Sequence, residues 1–238
     1  MAKGFWRDSS RKNSLEKKIF FIFGTDTGVG KTKVCEILTI GFKELGIEAI
    51  PFKPIETGHS KVEKSSDAYR LSRVCPNLSP QETSYLLFQK PIAPVLASEM
   101  EGKKIKMKEI ISVIKERAEK GKVLLVEGAG GIFSPISYKF DWLDIVKALK
   151  GEVVIVIGNK LGALNHAILS ENAVIQRKVK LAGWILNNIS KKKDIAQKTN
   201  LYLLKKFMKS PFICETPFFK RDPPKNFCKK VAEKLLPL

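Results

Sequence analysis

The chain of 238 residues is poor in side chains that form disulfides or bind transition metals, with four cysteines and two histidines. None of the cysteines forms a Cys-x-x-Cys pair, and neither histidine has a companion at metal-ligand spacing; these six residues are Cys35, Cys75, Cys214, Cys228, His59 and His166. A zinc cluster or a disulfide framework is therefore not indicated. We expect reduced, structural thiols and histidines at polar helix or loop positions.

Long hydrophobic runs are also lacking, and no apolar stretch reaches the about 20 residues that a membrane-spanning helix needs. The first residues, MAKGFWRDSSRKNSLEKKIF, contain no hydrophobic block of the kind that a secretion signal has. These features predict a cytoplasmic protein.

Acidic residues are scarce: the chain has 24 Asp and Glu residues but 43 Lys and Arg residues, which gives a net charge of +19. A basic chain can bind nucleic acid, an anionic membrane or phosphorylated small molecules. The excess is mostly dispersed lysine, and arginines interleaved with aromatic residues, which would suit base stacking, are lacking. We therefore expect a solvated lysine surface, with no nucleic acid or membrane as a partner.

What the sequence does contain is an alternation of short apolar runs and helical periodicity. The runs predict strands at 19–23, 48–52, 123–127, 153–157, 181–186 and 211–214, and the periodic segments predict helices at 31–45, 107–120, 141–150, 163–178 and 225–236. Continuous apolar runs indicate strands buried on both faces, and hence a mostly parallel, doubly wound sheet in a three-layer α/β fold. The length suits a single domain at 18–238, preceded by a flexible basic extension at 1–17.

Ligands bind such sheets at the carboxyl ends of the strands. After the first predicted strand, the sequence GTDTGVGKT at 24–32 offers glycines that let backbone N–H groups approach a phosphate, a lysine, and a threonine hydroxyl that can ligate magnesium. The usual phosphate loop would have its first glycine at position 25, where this chain has Thr25. A glycine-rich turn with a chance Lys-Thr pair is the competing interpretation.

Charged residues near other strand ends could complete a phosphate site. Lys53 follows the second predicted strand, and Glu127 closes the VLLVE strand before a run of glycines. Asp67 precedes the helical stretch AYRLSRV, so it can serve either as a first-turn acid or as a metal ligand. Glu127 can likewise be a metal ligand or a glutamate that faces solvent.

Two families of phosphate-loop proteins fit poorly. ATPases of the MinD and ParA type carry a second lysine where this chain has Asp26. The guanine-reading sequence Asn-Lys-x-Asp is matched by Asn159 and Lys160, but Gly162 stands at its last position. An ATPase switch of the MinD and ParA type, binding membrane or DNA, is retained as the alternative function.

Six blocks in order resemble the dethiobiotin synthetase family: GTDTGVGKT (24–32), KPIETG (53–58), SSDA (65–68), VEGAGG (126–131), NKLGALNHA (159–167) and GWILNN (183–188). The family's loop carries the additional residue that displaces Gly24. The resemblance implies an ATP- and magnesium-dependent cyclo-ligase of biotin biosynthesis. Such an enzyme turns 7,8-diaminononanoate and carbon dioxide into a carbamate, which attacks the γ-phosphate of ATP; the second amine then closes the ring.

The resemblance also implies roles for individual residues. The catalytic residues would be Lys53, Lys31 and Thr27. The ATP-binding residues would be Gly28, Val29, Gly30, Lys31, Thr32, Lys33, Asp67, Glu127, Gly128, Ala129, Gly130, Asn187, Asn188, Pro217, Phe218 and Phe219, with Asn187 reading adenine. Magnesium would be held by Thr32, Asp67 and Glu127. The diamine would be bound by Thr57, Leu161, Gly162 and Asn165.

The family forms homodimers whose substrate site is completed by the partner chain, so the resemblance implies a homodimer with Asn165 across the interface. The chain departs from the family at Gly28, where some members have an acidic residue. The segment 90–101, KPIAPVLASEME, matches the family's Ala-Pro-rich substrate helix only loosely.

Overall fold

A computed structural model describes residues 16–191 and 194–236 of the protein. The predicted extension at 1–17 therefore lies outside the described residues except for its last two. Among the described residues, no helix combines the length and apolarity needed to cross a membrane.

Within the described ranges, seven strands form one sheet in which every neighbouring pair is parallel. The strands are β1 (Lys18–Gly24), β2 (Ala49–Thr57), β3 (Ser84–Phe88), β4 (Val123–Gly131), β5 (Glu152–Gly158), β6 (Lys180–Asn187) and β7 (Phe212–Thr216), and their spatial order is β3-β2-β4-β1-β5-β6-β7. The first strand thus lies at the centre, between β4 and β5, and the loop that follows it opens at the middle of the sheet's carboxyl edge.

Helices cover both faces of the sheet. They are α1 (Lys31–Glu44), α2 (Asp67–Val74), α3 (Pro94–Glu101), α4 (Met107–Ala118), α5 (Trp142–Ala148), α6 (Ala163–Gln176), α7 (Ile195–Phe207) and α8 (Lys225–Glu233). Successive side chains of β1 enter different hydrophobic clusters: Phe20 and Ile22 pack towards α1 and α8, whereas Phe21 and Phe23 pack towards α4, α5 and α6. The predicted three-layer, doubly wound α/β fold is confirmed.

All six predicted strands are longer than predicted, and in β2 and β4 the additional length changes where charged residues lie. The prediction ended β2 at residue 52, but the strand continues through Pro54 to Thr57, so Lys53 is a strand residue rather than the first residue after the strand. Proline cannot donate the backbone hydrogen bond that joins a strand to its neighbour. Pro54 lies where the partner strand changes: β2 pairs with β4 as far as Phe52 and with β3 from Lys53 onward. Glu127 likewise lies within β4 rather than at its end.

Three elements were not predicted from periodicity: β3, α3 and α7. The strand β3 is a short edge strand, and α7 has the mixed sequence IAQKTNLYLLKKF, in which lysines interrupt the apolar stripe. The predicted helices that were found end within three residues of their predicted bounds. All four cysteines are buried and free, as expected.

Candidate active site

The glycine-rich loop connects β1 to α1 at the sheet's carboxyl edge. Gly30 is the N-cap of α1 with φ of 92°, and no side chain caps the first turn of this helix, which leaves N–H groups of the turn able to bind an anion. A Cβ atom at Gly24 would lie 2.6 Å from the Asp26 carbonyl oxygen, because the loop folds back over the strand end. The early glycine is therefore required by this longer loop.

Lys31 is buried beneath the loop, and its ammonium donates to the Asp26 carbonyl oxygen at 3.2 Å. Burial lowers the pKa of Lys31. The Asp26 carboxylate accepts from the Thr27 amide at 2.7 Å and from the Lys160 ammonium at 2.8 Å. The Asp26 side chain thus joins the loop to the segment between β5 and α6. MinD and ParA ATPases have a lysine at the position of Asp26.

Lys53, Asp67 and Glu127 converge on one point from β2, α2 and β4. The Lys53 ammonium donates to Glu127 Oε1 at 2.9 Å and to Asp67 Oδ2, and the Thr32 hydroxyl donates to the same Glu127 oxygen at 2.9 Å. Glu127 is 1% exposed. The interpretation of Glu127 as a glutamate that faces solvent is therefore wrong. Asp67 is the first residue of α2, in agreement with the first-turn interpretation, and it also pairs with Lys53. Its role as a metal ligand stays a prediction.

The electrostatics of this cluster follow from burial and mutual attraction. Burial alone would lower the pKa of Lys53, but Glu127 and Asp67 outweigh it and raise that pKa. Burial would raise the pKa of Asp67, yet Lys53 holds it below its ordinary value. In Glu127, burial prevails over the attraction of Lys53 and raises the pKa. Lys53 is thus a permanent cation between two carboxyl groups.

The donor set fits a hard divalent cation such as magnesium. Thr32, Asp67 and Glu127 offer oxygen ligands, and Glu127 Oε2 is buried without a hydrogen-bond partner. An unpaired buried carboxylate oxygen is costly, and a cation that it could ligate would satisfy it. No group of three or more His, Cys, Asp or Glu residues that could hold a metal occurs in the described part of the chain. Magnesium sites in proteins commonly use one or two carboxylates and complete their coordination with phosphates and water.

A cavity of about 320 Å³ brings most of the sequence-predicted residues together. Its lining includes Thr27, Gly28, Gly30, Lys31, Thr32, Lys33, Lys53, Thr57, Asp67, Glu127, Ala129 and Gly130. Thr27 also lines a second cavity of about 750 Å³ on the other side of the loop, together with His166 and Leu169 of α6. The loop thus separates a charged cavity from a larger one beside α6.

Val29, Gly128, Asn187 and Asn188 lie outside the lining of this charged cavity. Asn187 sits at the end of β6, where its Nδ2 donates to the Val29 carbonyl oxygen at 2.8 Å and its Oδ1 accepts from the Thr216 hydroxyl. A Cβ atom at Gly30 would lie 2.1 Å from Asn187 Nδ2, so the loop packs directly on this amide. Within these contacts, Asn187 keeps one N–H and one oxygen lone pair for a ligand.

Asn188 is engaged with protein groups. Its Nδ2 donates to Glu215 Oε1 and to the Thr216 carbonyl oxygen, both at 2.8 Å, and its Oδ1 accepts from Asn159 at 2.7 Å. Both N–H groups are thus used in joining β6 to β7. The proposed contact of Asn188 with adenine stays a prediction.

The remaining predicted residues lie on the periphery. Pro217 and Phe218 follow β7 and are exposed, whereas Phe219 packs on Phe227 with ring centroids 5.4 Å apart. Gly162 is the N-cap of α6, with Leu161 before it and Asn165 in its first turn, and all three are exposed. The single chain therefore does not enclose these α6 residues in the charged cavity.

Sequence reasoning assigned no role to two further residues of the charged cavity, Glu56 and Arg70. Glu56 is buried and accepts from the amides of Asp67 at 2.6 Å and Ala68 at 3.1 Å, which fixes the start of α2. Arg70 donates to Glu36 at 3.0 Å and lies 3.6 Å from Asp67. The KPIETG block contains Glu56, but only the fold reveals that it positions Asp67.

Known proteins are similar to this chain in sequence over most of its length. A family model described as "AAA domain" matches residues 18–221. An ATP-dependent dethiobiotin synthetase of Buchnera aphidicola is 37% identical over 92% of this chain and 98% of its own length. The chain belongs to the dethiobiotin synthetase family. Further family members carrying the same description come from Hydrogenobaculum, 39% identical over 78% of this chain and 83% of its own length, and Bacillus licheniformis, 31% identical over 84% and 86%.

Two solved structures of similar fold come from other families. A plasmid partition protein from Borrelia burgdorferi has a TM-score of 0.56 and a ParA family ATPase from Chlorobium tepidum one of 0.51. Each is 14% identical and covers 92% of this chain, with 97% and 92% of its own length matched. At this identity the likeness shows the fold alone.

Proposed function

We propose that this protein is an ATP-dependent dethiobiotin synthetase, which carboxylates 7,8-diaminononanoate and closes the ureido ring in biotin biosynthesis. The observation that carries the proposal is the Lys53 ammonium, which lies between Asp67 and Glu127 beside the phosphate loop. The chain is also similar to dethiobiotin synthetases over nearly its full length. The reaction needs charge neutralisation rather than a protein nucleophile, and the four cysteines are buried away from such a role.

The reaction runs in three bond-forming steps. One amine of the substrate adds to carbon dioxide to give a carbamate. A carbamate oxygen then attacks the γ-phosphorus of ATP and ADP leaves, which yields a carbamic-phosphoric anhydride. The second amine attacks the anhydride carbon, phosphate leaves, and the ring closes. Negative charge gathers on the transferring phosphoryl group, where Lys31 and Lys53 stabilise it, and Thr27 donates to the reacting phosphate or carbamate.

Thr32, Asp67 and Glu127 would hold magnesium. When bound, magnesium supplies neutralisation of the phosphate oxygens. The support for this assignment is the buried, unpaired Oε2 atom of Glu127 beside the Thr32 hydroxyl. Glu56 keeps Asp67 in place by fixing the first turn of α2.

The ATP phosphates bind along 28–33 and 127–130, and the adenine lies at Asn187, with Asn188 and residues 217–219 around it. Asn187 suits adenine because the amide keeps one donor and one acceptor, which pair with N7 and the 6-amino group of that base. Thr57 binds the diamine or its carbamate from the end of β2.

The enzyme acts as a homodimer, and Leu161, Gly162 and Asn165 reach the diamine in the partner's site. Support comes from the exposure of apolar side chains on this side of α6: Leu161 is 81% and Leu169 is 61% exposed. Thr27 adjoins the same region through the larger cavity.

The activity is tested by incubating the protein with ATP, magnesium, bicarbonate and the diamine, and by measuring dethiobiotin by mass spectrometry and ADP by a coupled assay. We expect both products in equal amounts. ADP release that ignores the diamine but responds to lipid or DNA would favour the MinD and ParA alternative; no dethiobiotin at millimolar substrate would reject the proposal.

The shared site is tested by mixing Lys53→Ala with Asn165→Ala at a diamine concentration so low that Asn165→Ala, with its raised Michaelis constant, has almost no activity, and by allowing subunits to exchange. If Asn165 serves the partner's site, each mixed dimer contains one intact site, so about a quarter of wild-type activity returns at equal amounts. Activity that stays at the level of the separate variants would show that Asn165 acts within its own chain.

A further inference from the structure

The Lys53 ammonium occupies the position between the two carboxylates that would ligate magnesium. We propose that Lys53 is the resident counter-ion of this site: it excludes free divalent cations until the phosphates of a nucleotide draw its ammonium away. The inference rests on the magnesium assignment under the proposed function. It adds a binding order in which nucleotide and metal enter together and free metal does not bind first.

The first observation is that Lys53 uses oxygen atoms that the metal would need. Its Nζ lies 2.9 Å from Glu127 Oε1 and also contacts Asp67 Oδ2, and the lysine side chain is 8% exposed. Only Glu127 Oε2 remains without a partner. A metal that ligates both carboxylates must therefore displace the ammonium from between them.

The second observation is that the other charged groups of the cavity are committed elsewhere. Lys31 donates to the Asp26 carbonyl oxygen, and both oxygens of Glu56 accept from backbone amides of α2. Arg70 donates to Glu36, and it lies 3.6 Å from the Asp67 carboxylate without reaching Glu127. Among the described residues, Lys53 is thus the cation that bonds to both Asp67 and Glu127.

Electrostatics then dictate that the site always contains a cation. The buried Glu127 carboxylate without a counter-charge is strongly destabilising, so either the ammonium or a metal must stay beside it and the partly exposed Asp67, whose side chain is 31% exposed. Without nucleotide, the metal has to displace Lys53 into a cavity whose remaining carboxylate, Glu56, already accepts from two backbone amides. With nucleotide, the phosphates provide that anion, and the displaced Lys53 comes to rest where it serves phosphoryl transfer.

The test is a metal titration without diamine, with manganese as the probe and electron paramagnetic resonance of the free ion as the readout. Without nucleotide, we expect Lys53→Met to bind manganese about tenfold more tightly than the wild type. The matched control is Lys31→Met, which removes a neighbouring cation that bonds to neither carboxylate; we expect its affinity to stay within about threefold of the wild type. If both substitutions increase the manganese affinity equally, the cause is the loss of a nearby positive charge in general and not the position of Lys53 between the carboxylates. That result would overturn the proposal.

A second measurement uses the wild type alone and serves if Lys53→Met does not fold. A non-hydrolysable ATP analogue should raise the manganese affinity of the wild type about tenfold or more, by the reciprocity of coupled binding. Manganese binding that is equally tight with and without the analogue would contradict the proposal. Because no diamine is present, this result is independent of whether dethiobiotin is the product.

Discussion

Replacing Asn187 with alanine tests both the adenine contact and the support of the phosphate loop. The variant loses the amide that pairs with adenine, so the Michaelis constant for ATP should rise more than that for the diamine. Two neutral hydrogen bonds at about 0.5–1.5 kcal/mol each amount to about 1–3 kcal/mol, which corresponds to an increase of about 5- to 150-fold for ATP.

The same substitution should lower stability, because Asn187 bonds to two buried groups. The Val29 carbonyl oxygen and the Thr216 hydroxyl both lose their partner, and these residues are 1% and 0% exposed. A buried polar group left unpaired costs about 1–3 kcal/mol, so the free energy of unfolding should fall by at least about 2 kcal/mol. For a domain of this size the melting temperature should drop by about 4–8 °C.

The assay varies ATP at saturating diamine and then the diamine at saturating ATP, with calorimetry for the melting temperature. The matched control is Asn165→Ala, an exposed asparagine of α6 whose loss should raise the Michaelis constant for the diamine and leave the melting temperature unchanged. Equal increases of both Michaelis constants in Asn187→Ala would refute adenine reading. An unchanged melting temperature would refute the supporting role of its amide.

The remaining predictions concern the loop lysine, the thiols and an ion pair. Lys31→Ala should reduce turnover by about 100-fold or more with a small change in melting temperature, because its ammonium makes one backbone hydrogen bond; retained activity would show that phosphate binds elsewhere. Burial raises the pKa of Cys214 to about 12 and of Cys228 to about 11, so a thiol reagent at pH 8 should label these cysteines only after denaturation, and rapid labelling of the native enzyme would contradict their burial. Lys160 lowers the pKa of the Asp26 carboxyl, so their pairing stabilises the fold above the unfolded pKa of about 3.9 and is lost as the pH falls through the lower folded value. In urea titrations, Lys160→Met should therefore be less stable than the wild type by about 0.2–1 kcal/mol at pH 7, and the difference should shrink towards pH 3; a constant difference would point to lost packing.

Local sequence predicted the loop because strand, glycine turn and helix are adjacent in the chain. The apolar run at 19–23 and the periodic stretch from Lys31 determine where the loop begins and ends, and Thr32 follows from its place after the lysine. The same local signals identified Glu127 and Asp67 as candidates but left a second role open for each.

Residue patterns placed these side chains near the carboxyl edge of the sheet, but the contacts between them could not be predicted, because they depend on strand order. Lys53 meets Glu127 since β2 and β4 are neighbours, although α2, β3, α3 and α4 separate them in the chain. The contact of Asn187 with Val29 joins residues 158 positions apart. The prolines in β2 made the predicted strand too short. The assignment of Lys53 and Thr57 to one site came from the family resemblance rather than from periodicity.

The central position of β1 has a consequence for how the protein is made. Among the residues that the structure describes, this strand, the apolar segment Lys18–Gly24, pairs only with β4, which begins at Val123, and with β5, which begins at Glu152. Synthesis of the roughly 100 intervening residues takes roughly 5–20 s, during which a strand built for burial on both faces has no pairing partner. The newly made chain is therefore exposed to aggregation until its middle third leaves the ribosome, and β1 is where a chaperone would be expected to bind.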